Sequence, residues 1–218
     1  RAAAGCGCRA VEFDTMLSAG GTPFLIHDET LERTTDGRGE VARTPDETLR
    51  LLDAGGRFGA AFAGEPVPTL LQAIDLCAEL DLWANIEIKP AAGHEARTGE
   101  MVARIVREAW LHRPPLLSSF SEIALDAARR AAPLLPRALL AGALPADWRG
   151  RAERLGCVAL HAGARHTTPD GIRAVREAGF GYACYTVNDT AQARRLFRAG
   201  VDAVFTDRPD LLMSEAPA

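Results

Sequence analysis

The sequence predicts an α/β fold built around a parallel sheet. Short apolar runs alternate with amphipathic stretches of helical period along the whole chain. Their spacing suits right-handed strand–helix–strand crossovers, which set successive strands parallel. No linker-like or low-complexity stretch divides the 218 residues, so residues 1–218 are read as one domain.

The strand-like runs are Arg9–Met16, Pro23–His27, Leu82–Lys89, Pro115–Phe120, Arg137–Ala141, Cys157–His161, Tyr182–Val187 and Ala203–Thr206. Helical patterns occupy Thr69–Glu79, Ala96–Trp110, Ser121–Ala131, Pro145–Leu155, Pro169–Ala178 and Thr190–Ala199. Pro169 follows Thr168 at a helix start, and Gly179 and Gly200 stand where helices should end. Pro23–His27 departs from the pattern, because only Leu17–Thr22, with Gly20-Gly21 at its centre, separates it from Arg9–Met16. That link is too short for a crossover, so these two runs should form an antiparallel hairpin. Residues 28–68 are polar and irregular, with turn signals at Thr34-Thr35-Asp36-Gly37 and Arg57-Phe58-Gly59. So long an insertion with little regular structure is usually functional. No apolar loop suited to entering a membrane stands out within it.

Without the hairpin strand, seven parallel strands remain, one short of the eight that close a (β/α)8 barrel. Arg1–Ala4 reads as the last turn of a helix, Gly5 and Gly7 as its end, and Arg9 as the start of a strand. The expectation is therefore a barrel whose first strand lies upstream of Arg1 and is missing from this sequence.

Composition narrows the function. A 47% hydrophobic and 25% charged chain can build a sizeable core. A net charge of −4 argues against nucleic-acid binding, and pairs such as Arg129-Arg130 and Arg194-Arg195 read as solvated helix faces. No run of about 18 apolar residues is present, which argues against a transmembrane helix. The five cysteines, Cys6, Cys8, Cys77, Cys157 and Cys184, form no Cys-x-x-Cys pair and are read as reduced thiols of a cytoplasmic protein. Arg1-Ala2-Ala3-Ala4 leads into no apolar signal-peptide core.

Three charged patches close apolar runs: Glu12-Phe13-Asp14, His27-Asp28 and Glu87-Ile88-Lys89. Residues two apart on a strand share a face, so Glu12 projects with Asp14 and Glu87 with Lys89. Burying such groups is costly unless a cation or an anionic ligand offsets them. An all-carboxylate set without thiols favours Mg²⁺, Ca²⁺ or Mn²⁺ over zinc. A metal of that kind beside a phosphate is the chemistry suggested. Each residue also has a plainer reading: surface carboxylates for Glu12 and Asp14, a structural histidine for His27, an ion pair for Lys89.

Val11-Glu12-Phe13-Asp14, Phe24 to Thr35, Val67-Pro68-Thr69-Leu70 and Asn85-Ile86-Glu87-Ile88-Lys89-Pro90 together resemble the glycerophosphodiester phosphodiesterases. Leu117-Ser118-Ser119-Phe120, Tyr185-Thr186-Val187-Asn188 and Val204-Phe205-Thr206-Asp207-Arg208-Pro209 agree, in the same order. The resemblance implies a (β/α)8 TIM barrel with substrate at the C-terminal strand ends. It also implies hydrolysis of glycerophosphodiesters, such as glycerophosphocholine or glycerophosphoethanolamine, to an alcohol and sn-glycerol 3-phosphate. Glu12, Asp14 and Glu87 would bind Mg²⁺ or Ca²⁺, with Mn²⁺ as a further option. His27 would be one of two catalytic histidines, with the acid role. Lys89 would hold the phosphate, and Ser119, Tyr185 and Asn188 join it as candidate substrate-binding residues.

The sequence departs from that family in places. Its opening His-Arg-Gly and Pro-Glu-Asn-Thr motifs are not found, so the second histidine and a phosphate-pairing arginine would lie upstream. A polypeptide starting at Arg1 is expected to be nearly inactive. Tyr185 stands where many members have tryptophan. His94, His112, His161 and His166 are read as non-catalytic, with His161, at a strand end, the one to examine. Two other functions compete: a non-catalytic barrel binding phosphate esters, and a barrel phosphodiesterase acting on phospholipids.

Overall fold

A computed structural model describes residues 1–110 and 113–213; His112 lies outside the described residues. One helical turn, α1 (Ala2–Gly5), precedes β1 (Ala10–Leu17), and β2 (Pro23–Leu25) returns antiparallel to it with Thr15 opposite Leu25 and Leu17 opposite Pro23. Gly21 takes φ +87° in the connecting turn, a conformation glycine adopts without a Cβ penalty. The insertion follows, with the short helices α2 (Asp46–Leu49) and α3 (Gly55–Phe58). From there helix and strand alternate: α4 (Leu70–Glu79), β3 (Trp83–Ile88), α5 (Glu95–Ala109), β4 (Leu116–Ser119), α6 (Glu122–Ala131), β5 (Arg137–Ala141) and α7 (Trp148–Leu155). The run ends with β6 (Ala159–Gly163), α8 (Pro169–Glu177), β7 (Gly181–Tyr185), α9 (Thr190–Arg198), β8 (Ala203–Val204) and α10 (Pro209–Met213).

Four of the helix starts are fixed by side-chain caps. Thr69 and Gln72 form a reciprocal capping box on α4, and Ser121, Thr168 and Asp189 cap α6, α8 and α9. The sheet order is β2-β1-β3-β4-β5-β6-β7-β8, parallel throughout except between β1 and β2. Among the described residues β8 pairs only with β7 and β2 only with β1, so the sheet is open, with β2 and β8 as its end strands.

Alternation along the strands divides two environments. On β3, Ala84, Ile86 and Ile88 are fully buried against the helices, while Trp83, Asn85 and Glu87 face the concave side. Outside the sheet, Val102, Ala103 and Val106 of α5 pack with Ala124 and Ala128 of α6. Gly99 permits that approach, because a Cβ there would lie 2.1 Å from the carbonyl oxygen of Ala124. Arg137, 5% exposed, donates to the carbonyls of Pro133, Leu135, Leu155 and Gly156, tying together the segments that end α6 and α7.

Strand β6 begins two residues later than its apolar run suggests. Gly156 ends α7 in the left-handed region, φ +61°, and the Cys157 N–H still donates to Ala152 O. Cys157 therefore completes the helix cap instead of opening the strand. The insertion also differs from its polar reading. Leu31, Val41, Leu49 and Val67 pack with Met16, Phe24 and Ile26 into a separate small core. The same insertion exposes Leu51, Phe58 and Phe62, three apolar side chains at the surface.

Candidate active site

Parallel pairing of β1 with β3 sets Glu12 beside Asn85 and Asp14 beside Glu87. Thr15 secures the register, its hydroxyl donating to Glu87 O at 2.7 Å. Glu12, Asp14 and Glu87 each offer a carboxylate oxygen within 4.8 Å of the others. Lys89 lies just past β3, its Nζ 3.3 Å from Asp14 Oδ1. It is the only lysine in the sequence, among 25 lysine and arginine residues. That singularity is a signal the residue pattern alone did not use. A compact ammonium, unlike a planar guanidinium, serves as a point charge between a carboxylate and a phosphate.

The carboxylates strain against one another. Glu87 is 8% exposed, and burial followed by the Asp14 charge raises its pKa to about 7. Glu12 is exposed as a residue, yet burial around its carboxylate first, and then the Asp14 and Glu87 charges, raise its pKa to about 8. Three converging oxygen donors, whose charge one lysine does not offset, are the donor set a hard divalent cation takes. The residues therefore fit such an ion.

His27 stands in the loop after β2, its ring half-exposed, and its Nδ1 donates to Asp28 Oδ1 at 2.7 Å. Arg33 grips the same carboxylate through Nε and, at 2.9 Å, through Nη2. The Arg33 bond first, then the His27 bond, hold Asp28 well below the usual carboxylate range. Asp28 thus stays ionised, orients the ring, and leaves Nε2 as the nitrogen available to a ligand. Both partners sit in the His27–Arg33 stretch, but no spacing rule singles them out.

Glu12, Asp14, His27, Glu87, Lys89 and Tyr185 all line one cavity of about 1090 Å³. Tyr185 donates its hydroxyl to Ala141 O at 2.8 Å and packs edge-on against Phe120. Ser119 and Asn188 are not brought to the wall. Ser119 is fully buried, donating to Ile88 O at 2.5 Å and accepting from the Ser121 N–H, which fastens β4 to β3. Asn188 Nδ2 donates to Asp207 Oδ2 at 3.0 Å, and its Oδ1 accepts from Thr206 Oγ1 and the Asp207 N–H. It thereby positions Asp207, which does line the cavity.

His161 also lines the cavity, 2% exposed, with its ring against Phe205. Burial lowers its pKa to about 4. Its Nδ1 and the Oδ1 of Asn85 are buried and without hydrogen-bond partners. His94 precedes α5 and His166 ends a 3₁₀ turn after β6; neither lines this cavity.

The chain is similar to known proteins in sequence and in fold. The Glycerophosphoryl diester phosphodiesterase family matches residues 1–211. A glycerophosphodiester phosphodiesterase of Caldanaerobacter subterraneus subsp. tengcongensis is 32% identical over 95% of this chain and 86% of its own. The solved structure of an Oleispira antarctica phosphodiesterase in complex with the product sn-glycerol-3-phosphate superposes with a TM-score of 0.93. It is 35% identical and is matched over 97% of this chain and 86% of that one. A glycerophosphodiester phosphodiesterase of Agrobacterium tumefaciens is 29% identical, with a TM-score of 0.82 over 98% and 90% of the two chains. The chain therefore belongs to the glycerophosphoryl diester phosphodiesterase family of enzymes.

Proposed function

We propose that the protein hydrolyses glycerophosphodiesters to an alcohol and sn-glycerol 3-phosphate with the aid of a divalent cation, Mg²⁺ or Ca²⁺. The observation that carries this reading is the convergence of Glu12, Asp14, Glu87, Lys89 and His27 on one cavity. The product bound in the Oleispira structure supports the glycerol 3-phosphate half of the substrate. Glu12, Asp14 and Glu87 would hold the metal, which when bound polarises a phosphoryl oxygen. Lys89 offsets charge that grows on the phosphoryl group. His27, held at Nδ1 by Asp28, gives its Nε2 proton to the departing alkoxide.

The fold belongs with this reading as a (β/α)8 barrel of one domain. Support comes from the parallel run β1-β3-β4-β5-β6-β7-β8, with Asp14, Glu87, His161 and Tyr185 of four of these strands lining the one cavity. The five cysteines are free, which supports a cytoplasmic setting. No helix among the described residues is long and apolar enough to cross a membrane.

The test uses the protein with whatever its gene encodes before Arg1. Phosphorus NMR should show glycerol 3-phosphate released from a glycerophosphodiester with Mg²⁺, Ca²⁺ or Mn²⁺ and none in EDTA. Binding without turnover under all three metals would favour a phosphate-ester-binding barrel. Turnover confined to phospholipid vesicles would favour a lipid phosphodiesterase.

A further inference from the structure

A second hollow, of about 390 Å³, also has His27 in its wall, and among the described residues His27 alone lines both. Its other walls include Arg33, Thr35, Arg57, Phe58 and Val67. If His27 protonates the leaving oxygen, as proposed above, the atoms attached to that oxygen continue past the imidazole, and this hollow is the space that receives them.

The wall has a definite charge. None of its lining residues is acidic, and two are arginines. Arg33 is neutralised by Asp28. Arg57 instead donates Nε to Thr35 O at 2.9 Å and pairs with no carboxylate among the described residues. Its positive charge is therefore left for a ligand. Phe58, 82% exposed and packed edge-on against Phe62, forms the lip. An aromatic face attracts a quaternary ammonium modestly, but the adjacent guanidinium, with no carboxylate to oppose it, repels the same group.

We infer that this hollow is the subsite for the alcohol half of the substrate, and that it selects an anionic alcohol over choline or ethanolamine. Arg57 is the specificity-determining residue. The class served is glycerophosphodiesters of phosphorylated polyols, with neutral polyols next. The inference rests on the hydrolytic reading of the same site.

The experiment compares glycerophosphocholine, glycerophosphoinositol and a ring-phosphorylated glycerophosphoinositol, measuring both kcat/KM and calorimetric affinity with Ca²⁺ present. The phosphorylated ligand should exceed the choline ligand by about tenfold, less at high salt. Arg57→Gln should cut that ratio about fivefold, and Arg57→Lys should restore most of it. A choline preference, or a ratio that Arg57→Gln leaves unchanged, overturns the subsite. Affinities that follow Arg57 while no diester is hydrolysed would uphold the subsite and overturn the hydrolytic reading. No affinity for any of the three overturns both.

Discussion

The imidazole of His27 and the carboxylate of Asp28 are adjacent in sequence and bonded in space, Nδ1 to Oδ1 at 2.7 Å, with Arg33 closing on the carboxylate as well. Asp28→Asn keeps an acceptor for the ring but removes the carboxylate charge that Arg33 and His27 share. Steady-state kinetics should show kcat reduced roughly 10- to 100-fold, part of what a general acid contributes. Metal affinity should be unchanged, since Asp28 is outside the carboxylate cluster.

The raised pKa values of Glu12, about 8, and Glu87, about 7, set the pH response of the metal-free protein. Unfolded glutamates titrate near 4.5. Between there and pH 8 the folded state keeps protons that the unfolded state has lost, so stability falls as pH rises. A bound divalent cation reverses this by favouring the ionised carboxylates. Thermal melts should show a larger gain from Ca²⁺ at pH 8 than at pH 6. Calorimetry in buffers of different ionisation enthalpy should detect roughly one proton released per metal near pH 7.

Lys89 can be followed by itself, because no other lysine occurs among the 218 residues. Within them an amine-reactive reagent should modify Lys89 as the one side-chain amine, and inorganic phosphate with Ca²⁺ should slow that modification. Peptide mass mapping reads the rate in each case. Lys89→Gln should lower kcat/KM by roughly 100-fold or more, the scale seen when one electrostatic donor is removed from a site of this kind.

His161 gives the opposite pH trend. Its folded pKa, near 4, lies below the unfolded value of 6.5. The stability it contributes is complete above pH 6.5 and is lost as pH falls toward 4, by up to ~3 kcal/mol. His161→Gln should flatten stability across that window in denaturant titrations.

Gly99→Ala should loosen α5 from α6. The added carbon would fall 2.1 Å from Ala124 O, and backbone cannot yield as a side-chain tip does. A loss of about 1–3 kcal/mol or more is expected, measurable as a lower midpoint in urea.

The carboxylate cluster was legible because strand period and parallel pairing are local rules: two residues apart on β1, two apart on β3, and one register bring the groups together. Helix boundaries were legible for a like reason, since caps such as Thr168 and Thr69 act within one turn. Ser119 and Asn188 show the limit of that legibility. A polar residue at a strand end can face a ligand or fasten a neighbour, and the hydrogen bonds of Ser119 to Ile88 and of Asn188 to Asp207 are tertiary facts. The apolar core of the insertion was hidden for a related cause. Leu31, Val41, Leu49 and Val67 are too widely spaced to show a period, and meet only when the chain closes on Met16 and Phe24.

That separate core has a consequence for how such an enzyme diversifies. Glu12, Asp14 and Glu87 stand on β1 and β3, whereas Arg57 and Phe58 stand in the insertion, whose apolar cluster is distinct from the one packed beneath β3. Substitutions at such exposed insertion positions need not disturb the register that gathers the three carboxylates. The rim of the site can therefore drift in sequence while its floor is held fixed.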